Sequence, residues 1–205
     1  MNESSSNEDV TVTRVMRAVA SAPPRVYAPS DDTFLMLGVL AGFRLEGKEV
    51  LDVGTGSGIL GLYCAMRGAR VTVTDTDPEA LEHALKAAQD LRVNVHVIHS
   101  DLFSNVNGRF DLVVFNPPYL QSVGAEDPAV DGGDRGQAVA ERFLNSLASH
   151  LKGDGASLII LTGASDTGSL AERYSDFEFS TVATKRLFFE ELHVLRLRLR
   201  RGASR

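Results

Sequence analysis

The sequence has little of the features that mark several classes of protein. With one cysteine, Cys64, in 205 residues it can form no intramolecular disulfide, as is usual in a reducing compartment. Its apolar stretches, of which residues 34–43 form one, are far shorter than the roughly 20 residues that span a bilayer. The first nine residues are polar and acidic, unlike a secretory signal peptide. We therefore predict a cytoplasmic protein that does not associate with membranes.

Basic residues are outnumbered as well. The 21 Lys and Arg residues against 27 Asp and Glu residues leave a formal net charge of -6 and a pI near 5.4. Binding to a phosphate backbone normally depends on clustered basic residues, so a nucleic-acid partner stays open but is not favoured. His96 and His99 are three residues apart on a predicted strand, so their side chains lie on opposite faces of it. No zinc-ligand spacing occurs elsewhere, and no metal site is therefore predicted.

The composition, 43% hydrophobic and 23% charged, is typical of a globular domain. Residues 1–9 contain almost nothing that could be buried, so we predict that they form a disordered tail. The remainder, residues 10–205, is predicted to be a single domain. Its first part, about residues 10–45, is expected to be a helical extension.

From residue 50 onward, short β-branched runs alternate with amphipathic stretches. This pattern predicts an α/β fold with a mainly parallel sheet and helices on both faces. The predicted strands are residues 49–53, 70–74, 93–98, 110–115, 156–161, 178–184 and 191–199, and the predicted helices are about 57–67, 77–91 and 137–150. In the last strand leucines alternate with arginines, a period of two that predicts an edge strand.

A glycine-rich turn follows the first predicted strand. Gly56 to Gly61 matches the dinucleotide-binding fingerprint, so a nicotinamide-dependent oxidoreductase is one open alternative. Glycines here allow a ligand to approach the backbone at a helix N-terminus. Asp75 ends the second strand about 20 residues later, where a carboxylate can accept hydrogen bonds from ribose hydroxyls. Asp52, an acid within an apolar strand, is predicted to face the ligand, and Asp101 ends the third strand at the same edge.

The tetrapeptide Asn116-Pro117-Pro118-Tyr119 directly follows a predicted buried strand. Neither proline has an N–H, so the chain must leave the sheet here. The Asn116 side-chain carbonyl and the Pro117 carbonyl would then make two fixed acceptors in one pocket, which suits a substrate NH₂ group. Tyr119 could stack on a planar substrate. The tetrapeptide therefore predicts methylation of a planar nitrogen, with Asn116, Pro117 and Tyr119 as catalytic residues and all four residues binding substrate.

Taken together, these motifs resemble the class I S-adenosylmethionine-dependent methyltransferases. The resemblance covers residues 50–120 and implies a Rossmann-like, seven-stranded sheet whose last strand is antiparallel. It also implies S-adenosylmethionine as cofactor, with Asp75 near the ribose and Asp101 near the adenine. The implied cofactor-binding residues are Thr33, Asp52, Gly54, Gly56, Gly58, Asp75, Asp101, Leu102 and Asn116.

A narrower resemblance starts at Val26–Phe34, which is similar to a segment of the HemK-related release-factor glutamine methyltransferases. Gly132–Gly136 is similar to a glycine element of the same family, and we expect a short member that lacks the long N-terminal domain of the bacterial enzymes. The resemblance implies methylation of the glutamine in a Gly-Gly-Gln motif of a release factor, and a small zinc-binding activator as a possible second partner. From the residues alone, Asp31–Thr33 would form the acidic first turn of a helix running to Gly42.

Two further alternatives stay open at this stage. An adenine-N6 or guanine-N2 methyltransferase acting on RNA or DNA would use the same tetrapeptide on an exocyclic amine, but would need base extrusion and a basic platform. A catalytically silent binding subunit would be expected to have lost Asn116 or Asp75, and both are present.

Overall fold

The computed structural model describes residues 3–117, 133–162, 167–188 and 191–200. Six of its elements are helices: α1 (Glu3–Val19), α2 (Asp31–Ala41), α3 (Ile59–Met66), α4 (Pro78–Leu91), α5 (Gly133–His150) and α6 (Thr167–Arg173). Seven are strands: β1 (Glu49–Val53), β2 (Arg70–Asp75), β3 (Val95–His99), β4 (Phe110–Phe115), β5 (Leu151–Thr162), β6 (Phe177–Arg186) and β7 (Glu191–Leu199).

The seven strands form one sheet in the order β3-β2-β1-β4-β5-β7-β6. The strands from β3 to β5 pair in parallel, and β7 is antiparallel to both β5 and β6. The Rossmann-like fold class is thereby confirmed, including the antiparallel last strand. At β1 and β4 the strand order reverses, and in open α/β sheets the crevice at such a reversal binds ligands.

The prediction that the last strand lies at an edge is wrong. β7 lies between β5 and β6, and the edge strands are β3 and β6. Val194 of β7 packs into the core on one face of the sheet, and Leu195 and Leu197 pack into the core on the other. Alternating leucines and arginines are therefore compatible with an interior position, because the arginines reach solvent from a strand whose apolar residues are covered.

Helices pack on both faces of the sheet, as predicted. α1 to α4 cover one face, where Leu112 and Val114 of β4 are buried with them. α5 and α6 cover the other face, against Val113 and Phe115 of the same strand. A strand buried on both faces explains the continuous apolar run of β4.

Two helices start earlier than the sequence-based expectation. α1 begins at Glu3, within the segment expected to be a tail. The helix packs into the core through Val15 and Val19, and it continues from there toward the N-terminus. α5 begins at Gly133 rather than near residue 137 and thus includes glycines of the predicted loop. In the described part of the chain, the helices are too short or too polar to cross a membrane.

Candidate active site

A cleft of about 1020 Å³ lies at the carboxyl ends of the parallel strands. β1, β2 and β4 lead into it directly, and the residues after β3 close one side. Eight of the predicted site residues line it: Thr33, Gly54, Gly56, Asp75, Asp101, Leu102, Asn116 and Pro117. Parallel strands end at one edge, which is why motifs distant in sequence meet here.

Two of the predicted residues, Asp52 and Gly58, are not among the described residues that line the cleft. Two more, Pro118 and Tyr119, lie outside the described residues. Gly58 instead allows α3 and α4 to approach, since a Cβ there would lie 2.9 Å from the Cβ of Ala84. The roles predicted for Pro118 and Tyr119 stay predictions.

Asp52 is a structural residue of the turn, which corrects the prediction that it faces the ligand. It is 1% exposed, and its Oδ2 accepts hydrogen bonds from Thr55 Oγ1 at 2.6 Å and Gly61 N at 2.9 Å. These bonds tie the glycine turn and the start of α3 to β1. Burial raises the pKa of this carboxyl from 3.8 to about 6, although the bonds from Thr55 and Gly61 act in the opposite direction.

The raised pKa of Asp52 predicts a pH-dependent stability. Between pH 3.8 and about pH 6 the folded protein retains a proton that the unfolded chain has lost, so the free energy of unfolding falls as pH rises through this window. Asp52→Asn lacks this titration but keeps an oxygen for both donors. From pH 3.5 to pH 7, its free energy of unfolding should therefore rise relative to wild type by about 3 kcal/mol.

Urea unfolding at several pH values checks this prediction. Asp90→Asn, at an exposed position on α4, is the matched control and should follow the wild-type pH dependence. A difference between Asp52→Asn and wild type that stays constant with pH would contradict a desolvated carboxyl at position 52.

Asp75 lines the cleft, and two backbone N–H groups hold its carboxylate in place. Its Oδ2 accepts a hydrogen bond from Gly56 N at 2.9 Å, and its Oδ1 accepts one from Asp77 N at 3.0 Å. The carboxylate is thus held between the glycine turn and the start of α4, whose N-terminus Asp77 caps. Gly56 adopts φ +51°, a conformation that favours glycine, which brings the turn next to Asp75. The arrangement suits a ligand with two vicinal hydroxyls.

The opposite wall is formed after β3. Asp101 Oδ2 accepts a hydrogen bond from Arg142 Nη2 of α5 at 2.6 Å, a half-exposed ion pair. Leu102 has φ +50°, which is uncommon for a residue with a side chain. The Ser100 hydroxyl donates to the Leu102 carbonyl at 3.0 Å and supports this bend. Arg142 was not predicted, because nothing in its helical pattern distinguishes it from a solvated arginine.

Asn116 has an unusual hydrogen-bonding state. Its Nδ2 donates to Asp32 Oδ2 at 2.8 Å, whereas its Oδ1 is shielded from solvent and has no hydrogen-bond partner among the described residues. A buried acceptor without a partner costs about 1 to 3 kcal/mol, which a ligand N–H could recover. The contact between Asp32 and Asn116 was not predicted, because the two residues are 84 positions apart.

Cys64 and the histidines have no place in this site. Cys64 is fully buried in α3, and desolvation raises the pKa of its thiol, as suits a core residue. Within the described ranges, His, Cys, Asp and Glu residues do not assemble into a group of three or more that could hold a metal.

Comparison with known proteins identifies the family. The model of the methyltransferase small domain matches residues 31–186, most of the chain. This chain belongs to that family. A Methanocaldococcus jannaschii protein, provisionally named as a protein N5-glutamine methyltransferase, is 36% identical over 184 residues, covering 84% of this chain and 91% of that protein. The chain is therefore a methyltransferase.

Two other proteins are also similar to this chain. The release factor glutamine methyltransferase of Deinococcus radiodurans is 35% identical over 158 residues, which cover 71% of this chain and 57% of that protein. The E. cuniculi Mtq2–Trm112 complex, described as responsible for methylation of the eRF1 translation termination factor, matches with a TM-score of 0.69 at 24% identity. The match covers 86% of this chain and 99% of that chain and shows the shared fold.

S-adenosylmethionine is the methyl donor of this family, and the cleft fits it. The carboxylate of Asp75 suits the ribose hydroxyls, and Gly54 and Gly56 leave the floor of the cleft free of side chains. Asp101 and Leu102 suit the adenine, and Thr33 lies on the side of the cleft formed by α2. A nicotinamide oxidoreductase is thereby ruled out as an interpretation of the glycine motif.

Proposed function

We propose that this methyltransferase acts on a glutamine side chain, forming N5-methylglutamine in the Gly-Gly-Gln motif of a peptide-chain release factor. The observation that carries the proposal is Asn116 Oδ1, a buried acceptor beside the cofactor cleft that has no hydrogen-bond partner among the described residues. An acceptor in this place binds an N–H or O–H donor and disfavours an attacking carboxylate, whose lone pairs would face it. It therefore supports a target whose attacking atom carries hydrogen, such as an amide nitrogen.

The chemistry of an amide nitrogen explains why two acceptors are useful. Its lone pair is delocalised into the carbonyl group, so it is a poor nucleophile in its planar form. If Asn116 Oδ1 and the Pro117 carbonyl each accept one N–H, the nitrogen is held with its lone-pair axis in a fixed direction. Fixed acceptors also stabilise the positive charge that develops on nitrogen during the transfer.

S-adenosylmethionine supplies an electrophilic methyl group on a sulfonium sulfur. The residues of the chain align the glutamine nitrogen with that carbon, so that a C–N bond forms as the C–S bond breaks. The proton lost from nitrogen passes to water, and Asn116 remains chemically unchanged. Positioning and electrostatics account for the rate in this scheme, and no covalent bond to the protein is needed.

The relatives support a protein substrate. The M. jannaschii relative, matched over nearly its full length, carries the name of a protein N5-glutamine methyltransferase, and the D. radiodurans relative that of a release factor glutamine methyltransferase. The net charge of -6 argues against an RNA or DNA substrate bound through phosphates. Because release factors act in translation, the proposal also places the protein in the cytoplasm.

A labelling assay tests the proposed substrate. The protein is incubated with radiolabelled S-adenosylmethionine in three separate reactions. The first contains a release factor from the same cell, and the second contains that factor with Ala in place of the motif glutamine. The third contains total RNA. Label is expected in the unaltered release factor alone, and mass spectrometry should find one added methyl group on the Gly-Gly-Gln peptide. Label confined to RNA would refute the proposal in favour of a nucleobase amine.

A small activator subunit is part of the proposal. The E. cuniculi Mtq2 protein is in a complex with Trm112, and the resemblance to its family implies a zinc-binding partner of this kind. A sheet edge is available for it, since β3 is an edge strand of the described sheet and its Val95, Val97 and Ile98 are half-buried. If the labelling assay succeeds with the purified chain alone, an obligatory activator is excluded.

A further inference from the structure

We propose that Asp32 is a positioning residue that orients the Asn116 side-chain amide, so that its oxygen and not its nitrogen is presented to the substrate. The inference rests on the proposed function, in which Asn116 Oδ1 accepts a substrate N–H. It assigns to the first turn of α2 a task in catalysis that is distinct from contact with the cofactor.

Four donors surround the Asp32 carboxylate. Oδ2 accepts hydrogen bonds from Asn116 Nδ2 and from the Tyr27 hydroxyl, both at 2.8 Å. Oδ1 accepts bonds from Thr33 N at 2.5 Å and from Thr33 Oγ1 at 3.1 Å. Asp32 is 1% exposed, so these protein groups take the place of water around it. The carboxylate is thus held rigidly by its own helix turn and by Tyr27.

This environment determines the orientation of the amide. An asparagine amide has nearly the same shape in its two flipped orientations, but one presents NH₂ where the other presents oxygen. An ionised carboxylate can only accept hydrogen bonds, so Asn116 must direct Nδ2 toward Asp32. The reversed orientation would place two oxygens 2.8 Å apart. Oδ1 is then left as an acceptor without a partner in the described part of the chain, as the proposed reaction requires.

The carboxylate also makes Oδ1 a better acceptor. A hydrogen bond from an amide N–H to a negative charge polarises the amide and increases the electron density on its oxygen. The positive charge that develops on the substrate nitrogen would then be stabilised by Asp32 through Asn116, without contact between Asp32 and the substrate. An effect of this kind appears in the rate of transfer more than in the affinity for either ligand.

The variant Asp32→Asn tests the assignment. The introduced amide can keep its oxygen on Thr33 N, which leaves its NH₂ facing Asn116 and favours the flipped Asn116 amide. We expect kcat for methyl transfer to fall about a hundredfold, with the Kd for S-adenosylmethionine changed by less than about threefold. Asp31→Asn is the matched control, because Asp31 precedes Asp32 in the same helix turn but is half-exposed and pairs with Lys185. It should retain wild-type kcat.

Reversal of the pair distinguishes orientation from general structural support. In the double variant Asp32→Asn with Asn116→Asp, the NH₂ at position 32 can donate to one oxygen at position 116, while the other oxygen there faces the substrate. The double variant is expected to be about tenfold faster than Asn116→Asp alone, in which two carboxylates face each other. Thermal unfolding of each variant confirms that it is folded. A double variant no faster than Asn116→Asp alone would overturn the proposal. An Asp32→Asn protein with wild-type kcat would also overturn it.

Nuclear magnetic resonance on the unaltered protein keeps the inference testable if the variants do not fold. The Asn116 side-chain NH₂, assigned by its disappearance in Asn116→Ala or by sequential methods, should show one downfield-shifted proton and slowed exchange with solvent. A signal like that of exposed Asn145 would refute the bond to Asp32. A failure of the proposed function gives a different result. The wild-type enzyme would then not label the release factor, whether or not the Asn116 amide is hydrogen-bonded to Asp32.

Discussion

The kcat of Asn116→Ala should be about 100- to 1000-fold lower than that of wild type, the range found when one preorganised group is removed from an active site. Two effects combine here. The substrate nitrogen loses the acceptor that orients it, and the buried Asp32 carboxylate loses the Nδ2 donor at 2.8 Å. Cofactor binding should change by less than about threefold, because Asp75 and the glycine turn are untouched by the substitution.

Single-turnover transfer and calorimetric titration with S-adenosylmethionine measure these two quantities separately. Asn145→Ala, at an exposed position on α5, is the matched control and should behave as wild type in both. An Asn116→Ala enzyme with more than about a tenth of the wild-type rate would refute the role assigned to the side chain. Loss of cofactor binding in parallel with the rate would instead indicate that Asn116 holds the cofactor.

Asp75→Ala should weaken S-adenosylmethionine binding about a hundredfold or more. The carboxylate is placed to accept from two ribose hydroxyls, and hydrogen bonds to a charged group contribute about 1.5 to 3 kcal/mol each. A loss of about 3 kcal/mol corresponds to about a hundredfold in Kd. The substitution also removes the acceptor of Gly56 N, which adds disorder of the turn to the lost contacts.

Calorimetry with S-adenosylmethionine and with its demethylated product checks this prediction, since both contain the same ribose. Both should lose affinity to a similar degree. Asp90→Ala removes an exposed carboxylate from the other end of α4 and should leave both affinities unchanged. An Asp75→Ala protein that binds the cofactor within about threefold of wild type would show that the ribose lies elsewhere.

Much of the fold follows from local patterns. The bounds of β1, β4 and β7 agree with the prediction, because short apolar or alternating runs end there at residues that break a strand. The start of α4 was predictable from Asp77 and Pro78, a cap and a favourable first residue. The position of β7 beside β5 could not be predicted in this way. Alternation of apolar and polar residues describes a single strand and carries no information about which strands are its neighbours.

The candidate site likewise contains residues whose place could be predicted from the sequence and residues whose place could not. Asp75, Asp101 and Asn116 were predictable because each lies at or just after the end of a strand, and the ends of parallel strands meet at one edge. Asp52 was placed wrongly. Its position next to the glycine turn is as compatible with a ligand as with Thr55 and Gly61, and the direction of its side chain depends on how α3 packs against β1.

The sequence by itself therefore determined the fold class, the cofactor family and the place of Asn116 after a buried strand, where we propose that it accepts a substrate N–H. Each depends on residues close together in the chain, where spacing and residue type are sufficient. The tertiary structure decided what lies beneath the glycine turn, which strand forms the edge, and that Asp32 of α2 holds Asn116 after β4. These are contacts between segments far apart in the chain, and their geometry is set by packing.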